Sequence, residues 1–389
     1  MTAPPPPGQV PPQGHPAHPV PPGQPRPPMP RPRRTATQVG APLALIIVAG
    51  LLAAGAIGLS AVINPIGFAL ALIPTALVFL GVVWCYLWLD RWEPEPPRLL
   101  LLAFLWGGGI AVAFALLTGW VFAQLGILQS SAIQAPLTEE IGKGAFLLIM
   151  LTGARRKEMT TLVDCLVYAG FVGVGFSLVE DILYAAGGGS PGQAMLILAM
   201  RLVTGPFSHA LFTTMTALGI WWSFRFTGGA AKTGAIALGF LGAMVLHGAW
   251  NGSVERFGMG GYLLTYVVVM IPAFVVAIVI AVRSRKRESE IFIAELPKMV
   301  NSGLLRHEDA IWLNTLNGRK LRRQAAKQAG DMAEVARIKG LSDAVTELAF
   351  LQNRIDRGHG NEWTARTQAQ LVQAVRQFGG PPPADRRLL

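Results

Sequence analysis

The chain of 389 residues is 52% hydrophobic and 14% charged, against about 25% charged in an ordinary soluble domain, which excludes a soluble globular protein. Its formal charge of +11 does not make it a nucleic-acid binder. Most of that charge follows Arg283, directly behind an apolar run, where basic chain is drawn to an anionic membrane surface.

Residues 1–40 are dominated by Pro, with Gly, Gln, His and Arg. Such a leader cannot bury a core and is expected to be disordered or polyproline-like. It also lacks the layout of a cleavable signal peptide. Residues 41–283 form the expected membrane core. Eight apolar runs fall at 42–63, 67–89, 99–123, 132–152, 161–186, 194–223, 233–252 and 262–282. Each is near the ~20 residues that cross ~30 Å of hydrocarbon. They are long continuous runs, not ten-residue alternations, so the predicted fold is all-α, a polytopic transmembrane helix bundle. The 44 glycines suit close helix packing in lipid. Cys85 and Cys165 lie inside apolar runs, so neither a disulfide framework nor a cysteine zinc site is expected.

Alternate connectors differ in charge. One set holds the bases Arg91, Arg98, Arg155, Arg156, Lys157, Arg225 and Lys232, and the other holds a single base, Arg256. The basic set predicts the cytoplasmic side, with both termini cytoplasmic in a multi-pass plasma-membrane protein. Residues 284–378 read as a basic cytoplasmic tail of three or four amphipathic helices, with apolar spacing around 311–321 and 341–355. The tail offers a surface for membrane lipids or a cytoplasmic partner, and carries no motif that converts to chemistry. A disordered C-terminus is expected over 379–389.

Four spans carry ionisable residues, each costing ~2.5–3.5 kcal/mol at the centre of a membrane helix. They are Glu139, Glu140 and Lys143 in the fourth, Glu180 and Asp181 in the fifth, Arg201 and His209 in the sixth, and His247 in the seventh, beside Asn251. Glu139–Lys143, Phe176–Glu180 and His247–Asn251 are spaced i,i+4, so each pair shares a helix face. With alternating direction and ~1.5 Å rise per residue, Glu139 and Glu180 both fall roughly 10 Å below the outer surface, so the groups can meet in an outer-leaflet cavity. Arg201 is expected to snorkel to the outer interface. Asp164 is expected near the cytoplasmic end of its span.

Two carboxylates and two imidazoles are what peptide hydrolysis inside a membrane requires. One arrangement places zinc on His209, His247 and Glu180, with an open fourth position. The other uses no metal: a glutamate is general base, and His247 and Asn251 donate to the oxyanion. Lys143 would keep one of the paired glutamates ionised. The residues do not choose between these chemistries. The plainer readings are a buried ion pair for Glu139, Glu140 and Lys143, and helix–helix hydrogen bonding for each histidine.

Together the motifs resemble the PrsW family of intramembrane proteases, distantly related to type II CAAX prenyl proteases. The resemblance spans roughly residues 40–285. It rests on Glu139-Glu140-x-x-Lys143 after Ala-Pro, Phe176-x-x-x-Glu180, Arg201 through Pro206 to His209, and His247-x-x-x-Asn251. The family pattern has Asn where this chain has Asp181, a second acid that changes the local charge. The resemblance implies hydrolysis of peptide bonds in membrane-embedded or membrane-adjacent protein substrates. It is compatible with regulated proteolysis, since one family member cleaves an anti-sigma factor. It implies catalytic roles for Glu139, Glu140, Glu180, His209, His247 and Asn251, supported by Lys143, Asp181 and Arg201. Two competing classes are a proton- or ion-coupled transporter using the Glu/His cluster, and a non-catalytic scaffold. The transporter lacks paired inverted repeats and inner-leaflet stations. The scaffold predicts that Glu139 and His247 tolerate replacement.

Overall fold

The computed structural model describes residues 42–360 and 362–379. The expected leader, and the expected C-terminus beyond residue 379, lie outside them. The described residues are helical throughout their regular elements, with no strand among them. In chain order, α1 (Leu43–Ile63) and α2 (Pro65–Leu89) are followed by α3 (Pro97–Leu105). The latter runs through a π-helical turn, Trp106–Ala111, into α4 (Val112–Leu125). Then come α5 (Ser131–Met150), α6 (Leu162–Ala186), α7 (Pro191–Thr204), α8 (Ser208–Ser223), α9 (Gly229–Thr265) and α10 (Ile271–Asn301).

Local sequence sets these boundaries. Asn64 caps α2 through the Gly67 N–H, with Pro65 at the first helical position, where its missing donor costs nothing. Gly126 ends α4 in the left-handed conformation at φ 65°. Thr161 and Asp164 form a capping box that starts α6, so Asp164 is at the expected end of its span and has a structural task there.

Among the described residues, six segments are long and apolar enough to cross a membrane. To these α5 is added, 20 residues long and carrying Glu139, Glu140 and Lys143. The segment Gly229–Asn301 is two crossings, not one. Gly258 leaves helical geometry at φ 59°, and the rings of Trp250 and Tyr262 lie 4.5 Å apart. Twelve residues of straight helix would separate them by about 18 Å. The chain therefore folds back there, and the described residues offer the expected eight candidate crossings. The sixth span is broken between Thr204 and Ser208, around Pro206, as a residue that cannot donate to a helical ladder leads one to expect. One detail differs from expectation: α10 passes through the expected core–tail boundary without interruption.

The centre of the bundle is α6, with 89% of its apolar window buried. Glycines allow this. A Cβ on Gly175 would lie 1.9 Å from the Phe104 carbonyl oxygen, and one on Gly173 would lie 2.4 Å from Ala210 Cα. The backbones of α3 and α8 thus approach α6 at distances that only glycine permits.

The tail forms α11 (His307–Leu313), α12 (Leu316–Gln328), α13 (Met332–Arg354) and α14 (Glu362–Gly379). Its apolar core includes Leu296, Leu313, Leu341, Val345 and Phe378. This core continues to the membrane bundle through Trp92, whose ring lies 5.4 Å from that of Phe292. The guanidinium of Arg319 sits over both rings. Beside this junction is a cavity of about 600 Å³, lined by the 91–96 connector, Asp164, α12 and α13. Asp90 and Glu95 are buried there. Burial pushes the Asp90 carboxyl up to about 8, against the lowering effect of the hydrogen bond it accepts from the Glu95 N–H. Burial likewise holds Glu95 well above the usual carboxylate range.

Candidate active site

Two contacts fix the helix that carries the paired glutamates. The indole Nε1 of Trp106 donates to the Gly142 carbonyl at 2.9 Å, joining the π-helical turn to α5. At the other end, Glu255 accepts from Ser130 Oγ at 3.1 Å, Ser131 Oγ at 2.7 Å and the Ala132 N–H at 3.1 Å. A carboxylate placed on the first N–H groups of α5 satisfies donors that the helix itself leaves open. It also ties α5 to α9, the helix that carries His247.

Between these ties the expected side chains converge. Lys143, fully buried, lies 2.6 Å from Glu140 Oε1 and 3.4 Å from Glu139 Oε2. It also lies 2.9 Å from His209 Nδ1, with the Phe176 ring 4.3 Å away. Glu140 Oε1 is 3.0 Å from His247 Nδ1, and His209 Nε2 is 2.7 Å from Glu180 Oε2. Arg201 donates through Nη2 to Glu180 and through Nε to Asp181. Its guanidinium lies 4.1 Å from the Tyr184 ring centroid.

These contacts assign the tautomers. A neutral imidazole has one N–H and one lone pair. His247 gives its Nδ1–H to Glu140, so Nε2 carries the lone pair, at 3.3 Å from Asn251 Nδ2. His209 accepts from the Lys143 ammonium at Nδ1, so its N–H is on Nε2, toward Glu180. Both lone-pair nitrogens face one carboxylate oxygen, Glu139 Oε2, at 3.6 Å for His209 and 3.7 Å for His247.

Glu139, His209 and His247 each offer a ligand atom within 4.8 Å of the others, and all three residues are buried. Two imidazoles and a carboxylate, each ring oriented by a further carboxylate, suit a catalytic zinc-type ion. The group that could hold an ion differs from the expected set in its acid: it includes Glu139, whereas Glu180 lies behind His209, taken up by that ring's far nitrogen and by Arg201. Arg201, expected to snorkel, is engaged by both acids, Glu180 and Asp181. Two adjacent acids on α6 give its planar fork a better partner than headgroup water.

Phe212 is a contact that sequence reasoning missed. Its ring stacks on His247 at 4.5 Å and 14° and meets His209 edge-on at 5.5 Å. Only its position one turn after His209 hinted at a role, and any packing phenylalanine shares that signal. Glu255 was missed too, because it reads as an ordinary polar residue in a connector.

Residues 95–277 match the family model described as PrsW family intramembrane metalloprotease. This stretch belongs to the PrsW family. It contains all four motifs and every member of the cluster. The chain is accordingly an intramembrane protease, a membrane-bound endopeptidase, and the transporter reading has no comparable support. A PrsW metalloprotease implies a metal, which the buried Glu/His/His group fits in number and kind of donor. Its substrates are membrane proteins. No curated protein and no solved structure matches the chain.

Proposed function

We propose that Glu139, His209 and His247 hold a catalytic zinc ion, and that the residues around them hydrolyse peptide bonds of membrane protein segments entering the outer half of the bilayer. The orientation of the two imidazoles carries this reading. Each commits its N–H to a carboxylate outside the donor set and turns its lone pair toward Glu139. When bound, such an ion polarises the scissile carbonyl and acidifies a water molecule.

The side chains of Glu139 and Glu180 keep 9% and 14% of their surface open, while that of Glu140 keeps 1%. Glu139 belongs to the donor set, whereas Glu180 accepts the Nε2–H of His209 and orients that ring, as Glu140 orients His247. Arg201 and Asp181 position Glu180. Asn251 stands at the edge of the donor set and supplies an amide N–H to the tetrahedral oxyanion. Glu140 is an orienting residue for His247.

The basic connectors favour cytoplasmic termini and a plasma-membrane location. The site then opens on the outer half of the bilayer, and the tail is free to meet cytoplasmic partners. The domain reading is a leader over 1–40, a protease core over 41–283 and a basic tail over 284–378.

The test is proteolysis and zinc content on one detergent preparation, with single-span membrane proteins of the same cell as substrates. Wild type should cleave and hold about one zinc per chain. Glu139→Gln and His247→Ala should remain in the membrane without cleaving, the second with its zinc lost. Cleavage by both variants at the wild-type rate would remove the site assignment.

A further inference from the structure

Lys143 is fully buried, and its ammonium has three N–H donors and three acceptors: Glu140 Oε1 at 2.6 Å, His209 Nδ1 at 2.9 Å and Glu139 Oε2 at 3.4 Å. Its hydrogen-bonding capacity is therefore used up inside the cluster. Two of its three acceptors, Glu139 Oε2 and His209 Nδ1, are also members of the candidate metal donor set. An imidazole nitrogen has one lone pair. At Nδ1 of His209 that pair serves either the ammonium or a metal ion, and never both.

Charge adds to this exclusion. Two cations competing for one carboxylate oxygen in a dry, low-dielectric pocket repel more strongly than they would in water. The matching contact on the other ring, Asn251 Nδ2 to His247 Nε2, is longer at 3.3 Å. It comes from a neutral amide, so it opposes an incoming ion far less.

The third acceptor explains how the lysine can yield. Glu140 lies outside the donor set and holds the ammonium by the shortest of the three contacts. The side chain can therefore release His209 and Glu139 while staying anchored, by a pivot on Glu140 and not by expulsion from the bundle.

We propose that Lys143 is an internal counter-cation, which holds Glu139 and His209 in place in the metal-free protein and is displaced from His209 when the ion enters, so that it sets the metal affinity. This rests on the donor set assigned above. It makes Lys143 a positioning residue whose removal strengthens metal binding, the opposite of what a purely structural lysine would show.

The experiment measures zinc affinity by equilibrium dialysis, and thermal unfolding without metal, on the full chain in detergent. Wild type, Lys143→Met, Lys143→Gln and His247→Ala are compared. Both lysine variants should bind zinc tighter, by about tenfold or more, and should unfold at lower temperature when metal-free. The glutamine variant keeps a polar group against Glu140 and guards against a methionine variant that does not fold. Unchanged or weaker zinc binding in the folded lysine variants, with binding lost in His247→Ala, would overturn the counter-cation while leaving the donor set intact. Wild-type zinc binding in His247→Ala would remove the donor set, and this inference with it.

Discussion

Glu140 shows how one side chain governs two neighbours. Its Oε1 takes the N–H of His247 and the ammonium of Lys143, so it fixes the tautomer that leaves Nε2 free. Outer carboxylates of this kind are worth about 10–100-fold in metal affinity or activity. Glu140→Gln keeps a hydrogen-bond acceptor but removes the charge opposite Lys143. Zinc affinity and cleavage rate should each fall by about one to two orders of magnitude, with helix content by circular dichroism unchanged. Wild-type values for both would make Glu140 a bystander. At this scale the sequence was informative about membership and silent about role. Glu139, Glu180, His209 and His247 stood out because ionisable groups in a bilayer are rare and costly. Which acid joins the donor set depends on side-chain direction at the α6–α8 crossing, and no spacing rule encodes that. Phe212 was illegible because an aromatic on an apolar face reads as packing.

Helices were legible wherever apolar length and capping chemistry agreed, as for α2 behind Asn64-Pro65 and α6 behind Thr161. The fold-back at Gly258 was legible as a change of span. The unbroken run of α10 to Asn301 was not, because its polar second half has the composition of a tail. What composition could not give is the depth of contact between elements. The Gly175 approach to the Phe104 carbonyl leaves no room for a methyl group, with a Cβ falling at 1.9 Å. The obstacle is backbone, which cannot rotate away. Gly175→Ala should therefore push α3 from α6, lower the unfolding temperature in detergent and reduce protein in the membrane. Gly55→Ala, where nothing lies within 4 Å of the added Cβ, is the matched control. Equal loss in both variants would mean that helix flexibility, and not the crossing, was at stake.

The whole molecule joins a membrane protease to a helical tail through a buried polar seam. Thr161 Oγ1 stands 2.6 Å from Asp164 and 3.1 Å from Glu288, which lies on α10. Asp90 and Glu95 are buried at the same junction. Since burial raises the Asp90 carboxyl from an ordinary 3.8 to about 8, the folded protein binds a proton there that the unfolded chain releases above pH ~4. Stability must therefore fall as pH rises between those two values, and the loss is complete once the folded group also ionises. Glu93 and Glu95, raised chiefly by burial, act in the same direction. Asp90→Asn keeps an oxygen to accept the Glu95 N–H, now at 2.8 Å, and carries no charge at any pH. Thermal unfolding of the full chain in detergent at pH 5 and pH 8 should show the wild type losing stability toward pH 8, and the variant losing less. An unchanged pH slope in Asp90→Asn would mean that this carboxyl is ionised in the folded protein and that the seam tolerates its charge. A reduced slope would make the junction between protease and tail sensitive to the proton concentration on the side of the membrane where the tail lies.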